Sequence, residues 1–450
     1  MNTRVNVMKC ATAYYSKLYT RPTEDSEKRN EKEKERDSNE NTIDPISDKE
    51  ILQHIKKLKS DRSPGPDSVR NEALKHGAPL LLTFITTLFN LIMSTEVIPE
   101  QWYKSDIVLL YKKGNPLDIS NYRPISLLSS MYKLFTSVLL SRISPQIDKL
   151  QPVEQAGFRS GFSTVDHIQT IKQVIEKYIE FRRPLYIAFI DFEKAFDSIT
   201  HSSTLMALQV CKINQKYLNI IRNIYSNCVS RVKLETKGQK FSIGRGVRQG
   251  DPLSPKMFIA VLESNFHRLN WENKGIRIKN KYLSHISSAT ELEKMIGSFA
   301  QESSKVGLKI NESKTKIMTN SDKIPIKANN QNIEYVDSCI YLGKRISYEG
   351  NNNEEEIDRR INITWKKFWT QKEILKSYNF NRKKILLDNN LLPCLTYVAR
   401  CKDNRWTLRT TTWKGLGWNT KSGKTEKKVV RRHQRSCGEQ LAKQESGSVA

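Results

Sequence analysis

Apolar positions along this chain change period several times, and the changes mark out elements. Residues 1–20 read as a short helix anchored by Tyr14, Tyr15 and Tyr19. Residues 21–41 hold no core side chain and read as a solvated linker. Ser47 followed by Glu50 has the form of a capping box, and Ile51, Ile55 and Leu58 continue at helical spacing. Ser63-Pro64-Gly65-Pro66-Asp67 is turn chemistry, and residues 72–96 are again helical with a broad apolar face. A strand over 105–113 ends at Gly114-Asn115-Pro116. The pattern then predicts a helix over 130–143, which Pro145 should end. A glycine-punctuated loop over 155–167 runs into a helix reaching Phe181. A short apolar run over 185–190 has the length and β-branched content of a buried strand. A helical region over 203–228 precedes a hairpin of 229–236 and 239–246 turning at Lys237-Gly238. Residues 256–269 read as helix, 275–285 as strand, 291–306 as helix and 338–347 as strand. A charged amphipathic helix over 354–378 carries Trp365, Phe368 and Trp369, and a second covers 382–391. From 401 onward the chain is basic, polar and poor in core residues, and is expected to be disordered.

Composition adds a polyanionic partner to this picture. Lys and Arg number 75 against 48 Asp and Glu, a net charge of +27. That excess points to nucleic acid rather than to a small metabolite. Seven scattered cysteines without C-x-x-C spacing fit free thiols in a reducing compartment. Cys401, His433 and Cys437 form only a loose set, short of a zinc site's four ligands. The longest apolar run, 80–93, is interrupted by Thr and Asn and falls short of the roughly 20 residues of a membrane span. The N-terminus has no apolar signal core. The expected location is therefore intracellular, in nucleus or cytoplasm, with no membrane partner.

The candidate chemistry starts at Asp191, where the 185–190 run ends. A carboxylate at a strand end reaches a cleft from a rigid support, and it equally serves as an N-cap for a following helix. Asp197 follows six residues later with Lys194 between. The rest of the chain decides between these readings. It contains, in order, Tyr122-Arg123-Pro124-Ile125-Ser126, Gln155-Ala156-Gly157-Phe158-Arg159, the Phe189-to-Phe196 stretch, Arg248-Gln249-Gly250-Asp251-Pro252-Leu253-Ser254-Pro255, residues 307–314 and Tyr341-Leu342-Gly343.

This series resembles the reverse transcriptases of non-LTR (LINE-type) retrotransposons, in the animal endonuclease–reverse transcriptase branch, over about residues 42–397. The resemblance implies an α+β right-hand polymerase: fingers, a palm with an antiparallel sheet flanked by helices, and a helical thumb. It divides the chain into a linker remnant over 1–41, fingers and palm over 42–348, a thumb-like region over 349–400 and a basic tail over 401–450. The implied activity is RNA-directed DNA polymerisation with Mg²⁺, on an RNA template, a DNA primer and a dNTP. Asp191 matches the first metal-binding carboxylate, and the Phe192 carbonyl a further oxygen ligand, since hard cations take oxygen donors. Phe196 matches the aromatic wall that excludes a ribose 2′-OH, with core packing as the alternative. Gln249 and Gly250 match the turn beside the incoming nucleotide. Arg123, with Lys112 or Lys113, matches the pair that holds the triphosphate. Lys314 matches the lysine that protonates the leaving pyrophosphate, and Tyr341-Leu342-Gly343 the primer grip.

Phe162 stands where relatives usually carry a polar or basic residue, and a larger departure from the pattern lies in the palm. The family's aromatic-x-Asp-Asp turn should lie between Gly275 and Glu291, yet no Asp occurs between Asp251 and Asp322. Lys281-Tyr282-Leu283-Ser284-His285-Ile286 abuts Ser287-Ser288-Ala289-Thr290 directly, whereas a hairpin needs on the order of ten residues. The expectation is a truncated copy that lacks the endonuclease and the Asp-Asp palm turn and is catalytically impaired. The alternatives are a non-catalytic nucleic-acid-binding remnant or a pseudogene product.

Overall fold

The computed structural model describes residues 4–20 and 43–370, with short breaks at 153, 160, 270, 272–275, 279–280, 284–285, 288, 330 and 350–351. The linker, the helix over 382–391, the loose Cys/His set and the tail lie outside the described residues. Contacts divide the chain into Met1–Gly350 and Asn351–Ala450.

The first unit opens with α1 (Arg4–Leu18). Then come α2 (Asp48–Lys57), α3 (Asn71–Thr95) and the single turn α4 (Glu100–Tyr103). Ser47 caps α2 by accepting from the Glu50 N–H at 3.3 Å. The Glu50 carboxylate takes both Nε (2.9 Å) and Nη2 (2.7 Å) of Arg142, so it ties α2 to a distant helix. Among the described residues α3 is long and apolar enough, by length and composition, to cross a membrane, which corrects the expectation drawn from the 80–93 run. One face of α3, through Ile85, Phe89 and Ile92, lies in the main core, with Phe89 against Trp102 and Phe135.

Strands β1 (Lys104–Tyr111) and β2 (Tyr122–Leu127) pair antiparallel and set Leu110 opposite Arg123. Helix α5 (Ser130–Leu150) runs through Pro145, contrary to the expected stop. Proline removes one ladder bond at a cost of about 3 kcal/mol. Ile143 and Ile147 are fully buried on either side of it, and their burial holds the helix together. Helix α6 (Thr164–Glu180) leads into β3 (Tyr186–Phe189), α7 (Ala195–Ser198), α8 (His201–Val210) and α9 (Gln215–Ser226). The expected single helical region is thus two helices, broken at Lys212 (φ 55°) and recapped by Asn214.

Strands β4 (Val229–Lys233) and β5 (Lys237–Ser242) complete a four-stranded sheet ordered β2-β1-β4-β5. The hairpin turns at residues 234–236, so Lys237 and Gly238 sit in a strand. Gly238 is glycine for lack of space: a Cβ there would meet Thr12 Oγ1 at 2.7 Å and Met8 Sδ at 2.8 Å on α1. Helix α10 (Ser254–Phe266) follows. The expected strand over 275–285 is a separate hairpin of β6 (Ile276–Ile278) and β7 (Lys281–Leu283).

A second sheet has the order β12-β9-β3-β8, built from β8 (Ile286–Ser287), β9 (Lys316–Thr319) and β12 (Glu334–Tyr335) around β3. Strand β8 contributes two residue pairs, Tyr186 with Ser287 and Ile187 with Ile286, before the chain enters α11 (Ala289–Lys305). Two small hairpins, β10 (Lys327–Ala328) with β11 (Gln331–Asn332) and β13 (Ser338–Tyr341) with β14 (Lys344–Ser347), finish the unit. The second unit is described through α12 (Asn352–Thr370), where Phe368 packs edge-on to Trp365 and Trp369.

Candidate functional site

Asp191 leaves the end of β3 beside the segment that enters β9. Its carbonyl accepts from the Asn311 N–H at 2.7 Å, and the Glu193 N–H donates to the Lys309 carbonyl at 2.9 Å. Phe192 lies opposite Ile310 between these bonds, in a pair that does not exchange ladder hydrogen bonds, so this ladder does not consume the Phe192 carbonyl. The Asp191 carboxylate is about half exposed (51 %) and stands 3.7 Å from the Lys314 ammonium. It is not an N-cap: Lys194, in the left-handed region (φ 44°), occupies that position of α7.

The β1–β2 end brings two more cations to the same place. The Lys112 N–H donates to the Asn121 carbonyl at 2.9 Å, which extends the β1–β2 ladder beyond Arg123. Desolvation lowers the Lys112 ammonium pKa, and the neighbouring charges of Arg123 and Lys314 lower it further, while Asp191 acts in the opposite sense. Lys112 therefore shares its electrostatic field with three other cations, Lys113, Arg123 and Lys314, and one carboxylate, Asp191. Such a cluster favours a polyanion such as a triphosphate.

The other flank is aromatic and amide. Phe196 stacks on Phe258 (centroids 4.6 Å, 19°) and meets Phe158 edge-on at 6.0 Å. The Gln249 carbonyl accepts from the Ser126 N–H at 2.8 Å, which joins this turn to β2. Gly250 is required next to it: its φ is 119°, and a Cβ would lie 2.8 Å from the Ser126 oxygen. The Gln249 side chain is committed, with Nε2 donating to both oxygens of Asp197 at 3.0 and 2.9 Å. Tyr341 packs on β3, its ring 5.3 Å from Phe189, and Leu342 and Gly343 form the β13–β14 turn with φ of 49° and 82°. Both central residues thus have the positive φ of a tight hairpin turn, and Leu342 adopts it without glycine's freedom.

Sequence reading passed over several residues that build the site. Arg248 is buried, 3.8 Å from Asp251, 4.4 Å from the centre of the Tyr132 ring, and donates to the Trp102 carbonyl at 3.2 Å. Tyr132 donates to Asp251. The i,i+3 opposite charges of Arg248 and Asp251 were the available signal. Asp197 is 3 % exposed. Burial pushes its carboxyl up to about 6, while hydrogen bonds from Tyr19 and Gln249 act to lower it.

The donors described here do not fit a pair of divalent cations. Asp191 offers one carboxylate and faces an ammonium. Among the described residues no group of three or more His, Cys, Asp or Glu side chains is gathered to hold a metal.

Residues 110–346, more than half of the chain, match the model of the family described as reverse transcriptase (RNA-dependent DNA polymerase). A probable RNA-directed DNA polymerase from transposon BS of Drosophila melanogaster is 29 % identical over 223 residues, covering 48 % of this chain and 24 % of that protein. A retrovirus-related Pol polyprotein from the type-1 retrotransposable element R2 of Nasonia vitripennis is 33 % identical over 232 residues, covering 51 % and 22 %. The chain thus matches about a quarter of the length of these relatives. An apo telomerase structure from Candida tropicalis aligns with a TM-score of 0.39 at 14 % identity, covering 56 % of this chain and 54 % of that one. With the motif series and the family match in agreement, this chain belongs to the reverse transcriptase family and is similar to the polymerases of non-LTR retrotransposons.

Proposed function

We propose that this chain binds an RNA template with a DNA primer and takes a dNTP beside it, but extends the primer poorly. The observation that carries the reading is the clustering of Lys112 with Arg123 and Lys314, the last of which stands 3.7 Å from Asp191. In this reading Arg123 grips the triphosphate as a planar fork and Lys112 as a point charge. Phe196 walls the sugar, and Gly250 lets the backbone approach the nascent pair. The Tyr341-Leu342-Gly343 turn steadies the primer end, and Lys314 stands where it could pass a proton to the leaving pyrophosphate.

The family uses divalent metal, here expected to be Mg²⁺, which supplies charge stabilisation on the transferred phosphate when bound. Asp191 and the Phe192 carbonyl are the candidate donors in this reading. Losing a metal clamp forfeits several kcal/mol, so extension is expected to fall at least ~10³-fold below an intact relative. Primer extension on poly(rA)/oligo(dT) with Mg²⁺ tests this: product at an intact relative's rate, abolished by Asp191→Ala, would overturn the impairment. Retained binding is tested separately. Affinity for an RNA–DNA duplex should fall steeply as salt rises, and binding that ignores salt would remove the reading.

A further inference from the structure

The N-terminal helix α1 lies outside residues 110–346, yet its aromatic face reaches the nucleotide flank at three points. Tyr14 accepts the Lys194 ammonium at its hydroxyl, and the same ammonium sits 4.4 Å from the centre of its ring. Tyr15 donates to the Tyr122 carbonyl at 3.4 Å, next to Arg123 on β2. Tyr19, just past the helix end, donates to Asp197 Oδ1 at 2.7 Å. The three tyrosines form one aromatic column that continues into β5. Tyr14 meets Tyr15 edge-on at 5.1 Å, Tyr15 stacks on Tyr19 at 6.4 Å, and Tyr19 on Phe241 at 6.4 Å. Tyr15 and Tyr19 are buried. Backbone bonds fasten the same corner, with the Gly244 N–H donating to the Tyr19 carbonyl at 2.8 Å and Arg245 Nε to the Leu18 carbonyl at 2.7 Å. Gly238 lets the helix approach this closely.

We propose that Tyr19 and Asp197 are positioning residues that hold the Gln249 side chain in one orientation beside the nucleotide, which makes α1 an integral part of that site. An ionised carboxylate only accepts hydrogen bonds, so a Gln249 amide that meets both Asp197 oxygens must turn its NH₂ toward them. Its Oε1 then faces the other way. Gln249 thereby keeps its acceptor clear of Asp197, open to whatever lies beside the turn. Tyr19 donates a further hydrogen bond to the same carboxylate at Oδ1, which restrains it from a second element. A buried three-member chain of this kind holds its members more firmly than its separate bonds would. Asp197 touches no reacting group in this arrangement, and its effect passes through Gln249.

This inference rests on the nucleotide reading given under Proposed function. The test uses the full chain on an RNA template annealed to a dideoxy-terminated DNA primer, with equilibrium binding of the cognate dNTP as the readout. Asp197→Ala and Gln249→Ala should each weaken dNTP binding about tenfold, as for loss of a charge-assisted hydrogen bond, and the double variant should be no weaker than Gln249→Ala alone. Tyr19→Phe, which keeps the aromatic column, should weaken binding a few-fold in the wild-type background and not at all in the Gln249→Ala background. Additive losses in both cycles overturn the positioning role while Arg123→Ala still abolishes binding. If the wild-type chain takes up no dNTP, or Arg123→Ala leaves uptake unchanged, the nucleotide reading itself fails and this inference falls with it.

Discussion

Asp191 and Asp197 stand six residues apart and occupy opposite environments, as do the regions around them. Asp197 is 3 % exposed and accepts from Tyr19 and Gln249, and through them from α1 and the 248–251 turn. That turn is itself locked by Arg248, Asp251 and Tyr132 in a buried charged cluster. Asp191 is half exposed, meets one lysine at 3.7 Å, and stands on a sheet whose β8 edge is two residues long. The region around Asp197 is over-determined, with each group held from several elements. Around Asp191 the backbone is held by the ladder to 309–311 and by the Asp191 N–H donating to Thr315 Oγ1 at 3.3 Å, while its carboxylate meets one exposed lysine. The two regions are stabilised by different contacts, so a change in one need not disturb the other.

The comparison predicts large costs on one side and small ones on the other. Asp251→Ala leaves the buried Arg248 guanidinium without its carboxylate and should cost about 3–5 kcal/mol in urea denaturation. A loss under 1 kcal/mol would mean that the cluster is not what holds the turn.

Asp197 should give the next largest effect, as a pH dependence. Its folded pKa, about 6, lies above the ordinary 3.8, so the native state binds this proton more tightly than the unfolded state. Stability from this group is therefore highest below pH ~4 and falls as pH rises toward 6, by about 2–3 kcal/mol in all. The groups acting on Asp197 are Tyr19 and Gln249, by hydrogen bonds, and the charge of Lys194, all of which favour the ionised form. Asp197→Asn should remove this slope from the difference between unfolding midpoints at pH 7 and pH 5, and an unchanged slope would assign it to other carboxylates.

Gly250→Ala should cost about 2 kcal/mol, because the new Cβ combines an unfavourable φ with a contact on the Ser126 oxygen. Thermal melts compared with Gly297→Ala, where a Cβ meets nothing within 4 Å, separate that clash from a general glycine effect. Asp191→Ala should shift stability by no more than ~0.5 kcal/mol, as at other exposed positions. A larger loss would show that Asp191 supports the sheet as well as facing the cleft.

Much of this molecule was readable from local pattern. Ser47 does cap α2, residues 72–96 do form one helix, and the strand before Asp191 is β3, because these depend on periodicity and capping within a few residues. The motif order led to the family, since each motif is a short run of specific side chains. The misreadings came where distant packing overrides a local rule. Pro145 stays inside α5 because Ile143 and Ile147 are buried around it. Gly238 looked like a turn residue, yet it is glycine because α1 crosses there. The Glu50 carboxylate, expected to complete a capping box, pairs with Arg142 far away in sequence.

The sequence by itself determined which elements form, which family the motifs belong to, and that no Asp lies between Asp251 and Asp322. Those are properties of neighbouring residues or of residue order. Only the tertiary structure decided which charges meet. It set Lys112, at the β1–β2 end, in the field of Arg123, Lys314 and Asp191, and it closed Tyr19, Asp197 and Gln249 into one chain across 178 and 52 residues. The physical reason is that hydrogen bonds and Coulomb forces depend on distance and burial, and sequence separation carries neither.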